Sequence, residues 1–443
     1  MGPPPEDGTW TGAAASSRHH TGRPARCGVR RGTSGHAAPR RGRTMVSVSG
    51  AASASEQAPS DRQRLALLLV GVGAFLTIGA LQSLYGPSFA ALQARYGVSV
   101  AQVGGVVSAH FGGAFVGVLA SGLALVRLGY RGSLVTAAGL IAAGTSVIGL
   151  AGTWPIALAA AFVAGLGFGQ VTVAVNLMVA RAYDRAATGP LNALNGTYGL
   201  GAVLGPALVA LATARLGVTP EAGAWVFGTV AVGAVAFTLA ATRLRWWPQP
   251  RRPQRSTAER PPFGALAFML LLFLYVAVEV TTPAWIPTHL AGRLGDTNAA
   301  LVASAFWAAL TIGRFGVVPL AARMRPRDLV LGASLVGLLG LLLAQVPALA
   351  VPGYVLAGLG FAPVFPTTIA WLQWRFGDRG EGLTPFVIAS GNLGPVLGAP
   401  AVGVVVMATS PASIPSVLAG AAALLVASVA FTWWRGRRSE RIA

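Results

Sequence analysis

The feature that most constrains this chain is a series of apolar stretches, each roughly 20 residues long, the length of helix that crosses the hydrocarbon core of a bilayer. Twelve such stretches are predicted to be membrane-spanning helices: residues 65–87, 101–126, 133–151, 155–181, 189–213, 221–242, 264–288, 299–320, 328–347, 351–373, 382–407 and 412–434. The sequence therefore predicts an all-α integral membrane protein.

Composition and charge exclude several other classes of protein. Hydrophobic residues make up 54% of the 443 residues and charged residues only 10%, which is more apolar surface than a soluble core can hide. The net charge of +20 would suit a nucleic-acid partner, but the chain has no Lys and its Arg residues fall in short gaps between apolar stretches. Cys27, the single cysteine, permits neither an intramolecular disulfide nor a Cys-based metal site. We predict no nucleic-acid partner, no metal and no cofactor.

The distribution of Arg predicts how the chain lies across the membrane. The gaps on the side of the two termini hold 21 Arg, whereas the opposite gaps hold only Arg95, Arg215 and Arg293. Positive residues are retained on the cytoplasmic side. Both termini are therefore predicted to be cytoplasmic in a multi-pass protein of the cytoplasmic (inner) cell membrane, with the lipid bilayer as its surroundings.

Two polar segments divide the chain into domains. Residues 1–61 are rich in Arg, Pro and Gly, so we expect a disordered tail, and Met45 is an alternative start. Residues 243–262 carry Pro and six Arg and are predicted to be a cytoplasmic linker. The predicted domains are thus two six-helix bundles, residues 62–242 and 263–436, followed by a cytoplasmic tail at 437–443. We expect a monomer.

Short sequence repeats relate the two predicted bundles. AGLGF occurs at 164–168 and again at 357–361, and LGAVLG at 200–205 matches LGPVLG at 393–398, both at an offset of 193 residues. A shared offset indicates a parallel repeat, which predicts two pseudo-symmetric bundles around a central cavity. Glycines four residues apart, such as Gly201 and Gly205, are expected to let neighbouring helices pack closely.

The repeat, together with GLALVRLGYR at 122–131, resembles the loop motif of the major facilitator superfamily. Within that superfamily, the segments NALNGTYGLGAVLGPAL from 192, YVAVEVTTPAWIPTHL from 275 and ASGNLGPVLGAP from 389 resemble the fucose permease branch of sugar and proton symporters. The resemblance implies a transporter with its cavity among spans one, four, seven and ten. Loop residues Arg127 and Arg131 would then act in gating.

The chain departs from the family pattern at two places. Val126 stands where the loop motif usually has an acidic residue before its Arg. Ser83 and Thr172 stand where fucose-permease-like carriers have acidic residues in spans one and four. Neither side chain can carry a proton, so proton coupling would have to use another residue.

Glu279 is the only carboxylate in the interior of a predicted span. An ionised side chain at the bilayer centre costs roughly 3 kcal/mol on insertion scales, so such residues usually face a cavity or a partner. Tyr275, Glu279 and Thr282 lie on one helical stripe, and Pro283 cannot donate to the carbonyl of residue 279, so we expect the helix to be weakened there. Glu279 is predicted to carry the coupled proton; the alternative is a permanently protonated, structural Glu279.

Arg314 in span eight is the obvious partner for Glu279, but the predicted depths argue against direct contact. Counted from the cytoplasmic ends of their spans at about 1.5 Å per residue, Glu279 lies roughly 22 Å deep and Arg314 only about 9 Å. The sequence instead favours a gating or structural role for Arg314 and places Trp307 level with Glu279.

Polar and aromatic residues on the cavity spans suit a polyhydroxylated solute, which needs hydrogen bonds at its edges and apolar contact on its faces. His110 in span two is interpreted as a core residue. The predicted substrate-binding residues are Gln82, Ser83, Tyr85, Gln170, Thr172, Asn176, Tyr275, Thr282, Trp285, Trp307, Thr368 and Trp371.

Three functions remain open at this stage. The first is a secondary transporter of a sugar or similar small polar solute, driven by protons through Glu279. The second is an exporter of apolar or cationic compounds, for which Glu279 would be the counter-charge, and the third is a membrane sensor that does not transport. An enzyme is not predicted, because the sequence has no metalloprotease motif, Walker loop or supported Ser/Lys dyad.

Overall fold

In the computed structural model the described residues are 59–249, 263–321 and 323–440, and they are helical throughout apart from short connections. The expectations for the N-terminal tail up to residue 58, most of the linker and the last three residues lie outside these ranges. The helices are α1 (Asp61–Leu84), α2 (Phe89–Tyr96), α3 (Val100–Val103), α4 (Gly105–Leu150), α5 (Trp154–Tyr183), α6 (Thr188–Leu216), α7 (Pro220–Arg243), α8 (Phe263–Gly316), α9 (Val318–Ala321), α10 (Pro326–Leu343), α11 (Ala350–Phe361), α12 (Val364–Phe376), α13 (Asp378–Ala408) and α14 (Ile414–Glu440).

Local sequence explains several helix ends. Ser60 caps α1 through a reciprocal pair of hydrogen bonds with Gln63, and Ser99 caps α3 with Gln102 in the same way. Thr219 caps α7, which has Pro220 in its first turn, where a missing N–H removes no helical hydrogen bond. Polar residues therefore satisfy backbone groups at the ends of helices that are otherwise apolar.

Ten helical stretches in the described part of the chain are long and apolar enough to cross a membrane. Large hydrophobic side chains such as Leu119, Leu150 and Val232 are more than half exposed, as expected of a lipid-facing surface. Two of the ten stretches, Val100–Leu150 and Gly264–Gly316, are 51 and 53 residues long. At about 1.5 Å per residue each exceeds twice the thickness of the hydrocarbon core.

Each of these two long stretches contains one glycine with a non-helical backbone. Gly129 has φ of 66° and Gly295 has φ of 75°, a region that favours glycine. Both glycines fall in gaps between predicted spans. The connections at Gly97, Gly217 and Gly295 share one end of the helices, which we call the Gly295 end; it is the end predicted to face outside.

Matched glycines in the two halves of the sequence make matched contacts. A Cβ on Gly201 would lie 2.2 Å from the carbonyl oxygen of Leu76 in α1, and a Cβ on Gly394 would lie 2.2 Å from that of Phe273 in α8. Gly165 faces the His110 carbonyl in the same way that Gly358 faces that of Phe306. The predicted role of Gly201 and Gly394 in close helix packing is confirmed.

Candidate functional site

An ion pair links the two parts of α8 that lie on either side of the turn at Gly295. The Arg314 Nη2 donates to Glu279 Oε1 at 2.9 Å, and the two side chains are 26% and 9% exposed. The predicted absence of a direct contact is therefore wrong. Glu279 is the same carboxylate that the sequence identified as unusual in its span.

Glu279 and Arg314 can meet because the ends of the two parts of α8 opposite Gly295 are not level. Before Gly295 the helix runs over residues 263–294, whereas after it the helix ends at Gly316. Counted from Gly295, Glu279 is 16 residues away and Arg314 is 19, a difference of only about 4.5 Å in depth. By the same count Trp307 lies about one turn nearer to Gly295 than Glu279 does.

Tyr275 lies beside the ion pair, one turn before Glu279, and interacts with both charged side chains. Its hydroxyl also donates to the carbonyl of Phe361 at 3.0 Å, and its ring is fully buried. Phe361 is the last residue of α11, and Ala362 and Pro363 separate α11 from α12. A broken helix therefore lies next to the ion pair.

The break between α11 and α12 was not predicted from the sequence, which placed the weak point of a helix at Pro283 instead. Pro283 and Pro287 lie inside α8, and the backbone of this helix is non-helical at Gly295. The expected weakening at Pro283 does not interrupt α8, although the proline still cannot donate to the carbonyl of residue 279. A helix can keep its path through proline when neighbouring groups satisfy the freed carbonyl.

Tyr198 in α6 brings the N-terminal half of the chain to the ion pair. Its hydroxyl donates to Gln82 Oε1 in α1, and α6 packs against α8, the helix that carries both Glu279 and Arg314. Sequence analysis predicted Gln82 but not Tyr198. The available signal was that Tyr198, between Gly196 and Gly199, is the one aromatic residue of its predicted span.

Several buried polar atoms among the described residues have no hydrogen-bond partner. An unpaired buried polar group typically costs about 1–3 kcal/mol, so a group of them suggests that a ligand or water completes the set. Of the predicted substrate residues this applies to Gln170, Thr282, Trp307 and Thr368, and the Nε of Arg314 is also without a partner.

The other predicted substrate residues have partners within the protein. Ser83 donates to the Ala80 carbonyl, and a Cβ on Gly205 would lie 2.1 Å from its Oγ. Thr172 and Asn176 bond to carbonyls of their own helix. Trp285 donates to the Ala399 carbonyl at 3.2 Å. Trp371 packs edge-on against Phe268.

Tyr85 and His110 form a separate buried pair in the N-terminal half. The Tyr85 hydroxyl and the His110 Nδ1 are 3.1 Å apart, and both side chains are essentially inaccessible to solvent. Phe111 and Phe168 pack against the imidazole ring. This placement suits the interpretation of His110 as a core residue and sets Tyr85 among core contacts.

The predicted gating arginines of the loop motif lie at the opposite end from Gly295. Arg127 and Arg131 are exposed. Arg131 donates to the Thr242 carbonyl at 3.0 Å and so links α4 to the end of α7. This is a contact within the N-terminal half of the sequence. Among the residues described, no cluster of His, Cys, Asp and Glu has the composition to hold a metal ion.

At the Gly295 end the two halves of the chain are in close contact. A Cβ on Gly86 would lie 2.2 Å from the Cα of Ala284, and one on Gly104 would lie 2.9 Å from the Ala399 carbonyl oxygen. Ser108 donates to the Val396 carbonyl at 2.7 Å across the same interface. The Gly295 end is therefore closed in this conformation.

Comparison with known proteins identifies the fold. A nucleoside transporter, NupG, in a mutant form, superposes with a TM-score of 0.70 at 13% identity, covering 84% of this chain and 99% of that one. A D-xylose-proton symporter gives 0.70 at 15% identity, covering 83% and 97%. The fucose:proton symporter FucP of E. coli gives 0.58 at 16% identity, covering 84% and 99%. These identities support a shared fold only.

No curated protein sequence matches the chain. The sequence model of the Major Facilitator Superfamily matches residues 70–384, most of the chain. Membership indicates a membrane transporter and not an enzyme, as the sequence predicted. The family resemblance inferred from the repeat and the loop motif is thus confirmed: the chain belongs to the Major Facilitator Superfamily.

Proposed function

We propose that the chain is a secondary active transporter that moves a small polar solute by alternating access and couples this movement to protons through Glu279. The observation that carries the proposal is the Glu279–Arg314 ion pair, which lies halfway along the first part of α8; the Nε of Arg314 and the hydroxyl of Thr282, one turn after Glu279, lack hydrogen-bond partners. Intramembrane ionisable pairs commonly mark ion and substrate pathways.

The ion pair suggests how a proton and a conformational change are linked. A proton on Glu279 competes with Arg314 for the same carboxylate. Protonation therefore releases the guanidinium, whose Nε already lacks a partner, toward a substrate or toward Tyr198 of the other half. A ligand that binds one of these two arrangements better shifts the population toward it, and that difference is the coupling free energy.

The groups without partners favour a polyhydroxylated solute. Trp307 Nε1 and Arg314 Nε are donors, Gln170 Oε1 is an acceptor, and the Thr368 hydroxyl can act as either. Similar folds occur in symporters of D-xylose and fucose and in a nucleoside transporter; this is an argument by analogy of fold. The pairing of Glu279 with Arg314 weighs against the exporter alternative, because a cationic substrate would have to displace Arg314.

The proposed transporter crosses the membrane twelve times, with both termini on the cytoplasmic side. We infer that the long stretches ending at Leu150 and Gly316 each cross the bilayer twice, turning at Gly129 and Gly295, which makes twelve crossings in two six-helix bundles, residues 62–242 and 263–436. Both termini and Gly377 would face the cytoplasm of a monomer in the cytoplasmic membrane. Reporter fusions should then show Gly97, Gly217 and Gly295 outside and Gly129 inside. A cytoplasmic signal at Gly295 would contradict the topology.

Transport by the full chain tests the proposed function directly. Sugars, polyols and cationic dyes are first screened for their effect on the thermal stability of the purified protein. A stabilising sugar or polyol should then accumulate in proteoliposomes when a pH gradient is imposed, and a protonophore should abolish that accumulation. Accumulation of a cationic dye but of no polyol would favour the exporter, and a pH-independent flux of the sugar would rule out proton coupling.

A further inference from the structure

A cavity of about 160 Å³ lies at the Gly295 end, away from the ion pair. From the N-terminal half, residues 86–91 and Gln93, between α1 and α2 and in α2, line it together with parts of α6 and α7. Pro287, Thr288, Ala291 and Asp296 line it from α8. Its walls are mostly apolar, with Phe89, Val226 and Pro287 among them. An apolar cavity of about 150 Å³ accommodates one benzene ring, so this cavity has room for one six-membered ring.

Two polar groups distinguish this cavity from a packing defect. Ser88 is 1% exposed, lines the cavity, and its hydroxyl has no hydrogen-bond partner. Burying a hydroxyl without a partner is unfavourable by about 1–3 kcal/mol, which a ligand hydroxyl would recover. Asp296 also lines the cavity and is exposed, so its carboxylate can bind a cation without losing all of its water.

We propose that this cavity is a second binding site, which takes a single aromatic ring bearing a hydroxyl at one end and a protonated amine at the other. The ring fills the apolar space, the hydroxyl pairs with Ser88, and the amine lies at Asp296. Because the walls come from both halves of the chain, the site is complete only while the Gly295 end is closed. A ligand bound there holds that end closed, a consequence that rests on the proposed alternating access.

Tyramine carries these three features and dissolves well in water, so it serves as the probe. Isothermal titration calorimetry of the full chain in lipid nanodiscs should show one saturable site. Ser88→Ala should weaken binding about tenfold through the lost hydrogen bond, and Asp296→Asn about threefold, since an exposed charge contributes less. Glu221→Gln, which removes a carboxylate near the same end but outside the cavity lining, should leave the affinity unchanged.

A filling variant tests the location of the site independently. Ala291→Phe should abolish tyramine binding because the added ring occupies the cavity from the α8 side. Unchanged binding in Ala291→Phe and in Ser88→Ala, or no saturable binding in the original chain, would overturn the proposal. Calorimetry measures tyramine binding directly, so it tests the site even if the chain does not transport. Because a bound ligand would hold the Gly295 end closed, tyramine should also inhibit transport in proteoliposomes. Saturable binding without inhibition would keep the site and contradict its link to alternating access.

Discussion

The two halves of the chain have the same helix packing but different chemistry at matched positions. Gly201 packs on the Leu76 carbonyl and Gly394 on that of Phe273, so α1 and α8 correspond at an offset of 197 residues. Gln82 in α1 therefore corresponds to Glu279 in α8. Gln82 accepts a hydrogen bond from a neutral Tyr198 hydroxyl, whereas Glu279 pairs with the charged Arg314.

Amide and carboxylate have nearly the same shape, so the difference between these positions is one of charge and not of packing. The repeat preserves the helix contacts and restricts the ionisable group to one half. On the proposed proton coupling, the ionisable group at this level therefore belongs to the C-terminal half, whereas Gln82 and Tyr198 of the N-terminal half are neutral.

The largest expected effect is on stability when the ion pair is broken. Arg314→Gln leaves a buried carboxylate without its partner, a change that typically costs 3–5 kcal/mol; because Arg314 is 26% exposed, we expect about 3 kcal/mol. Thermal unfolding of the purified protein should show the loss. The double variant Glu279→Gln/Arg314→Gln, in which neither charge remains, should recover most of it. Equal stability of the two variants would show that the pair is not energetically coupled.

The next largest effect tests whether the two halves pack alike. Gly201→Ala and Gly394→Ala each place a Cβ 2.2 Å from a backbone carbonyl oxygen, which forces adjacent helices apart at about 1–3 kcal/mol. The two losses should be similar in thermal unfolding. Gly139→Ala, with no atom within 4 Å of the added Cβ, is the control and should be neutral or slightly stabilising. A loss of stability in only one of the two variants would show that the two halves do not pack alike at these glycines.

The smallest effect concerns the neutral side of the comparison. Tyr198→Phe removes the hydroxyl that donates to Gln82 and should cost about 1 kcal/mol in thermal unfolding. Gln82→Leu should cost a similar amount, and the double variant little more than either single change, because both remove the same hydrogen bond. Additive losses would show that the two side chains stabilise the protein independently.

Much of the fold and several side chains of the site, among them Glu279, Tyr275 and Gln82, could be predicted from sequence. The length of the apolar stretches predicted the helices, and the glycine repeat predicted where helices approach closely. Glu279 was identifiable because a single carboxylate inside an apolar stretch is unfavourable on its own. These are properties of one segment or of a fixed spacing, so they can be read without knowing how helices are placed relative to one another.

The contacts of the site could not be predicted in the same way. The depth of a residue was counted from the end of its own helix, and residues 263–294 form a longer helix than the part of α8 that carries Arg314. The position of the break followed tertiary context, so it lies at Ala362 and Pro363 while Pro283 stays helical. Tyr198 lies near the site because α6 packs against α8, and no local sequence pattern predicts which helices pack together.

The central claim is that the charge of Glu279 changes during transport, and Glu279→Gln tests it most directly. The amide resembles the protonated side chain, so the variant should still exchange substrate across the membrane of proteoliposomes. In the presence of an imposed pH gradient it should lose both concentrative uptake and the pH dependence of uptake. Full concentrative uptake by Glu279→Gln would contradict the claim and leave the Glu279–Arg314 pair as a structural contact.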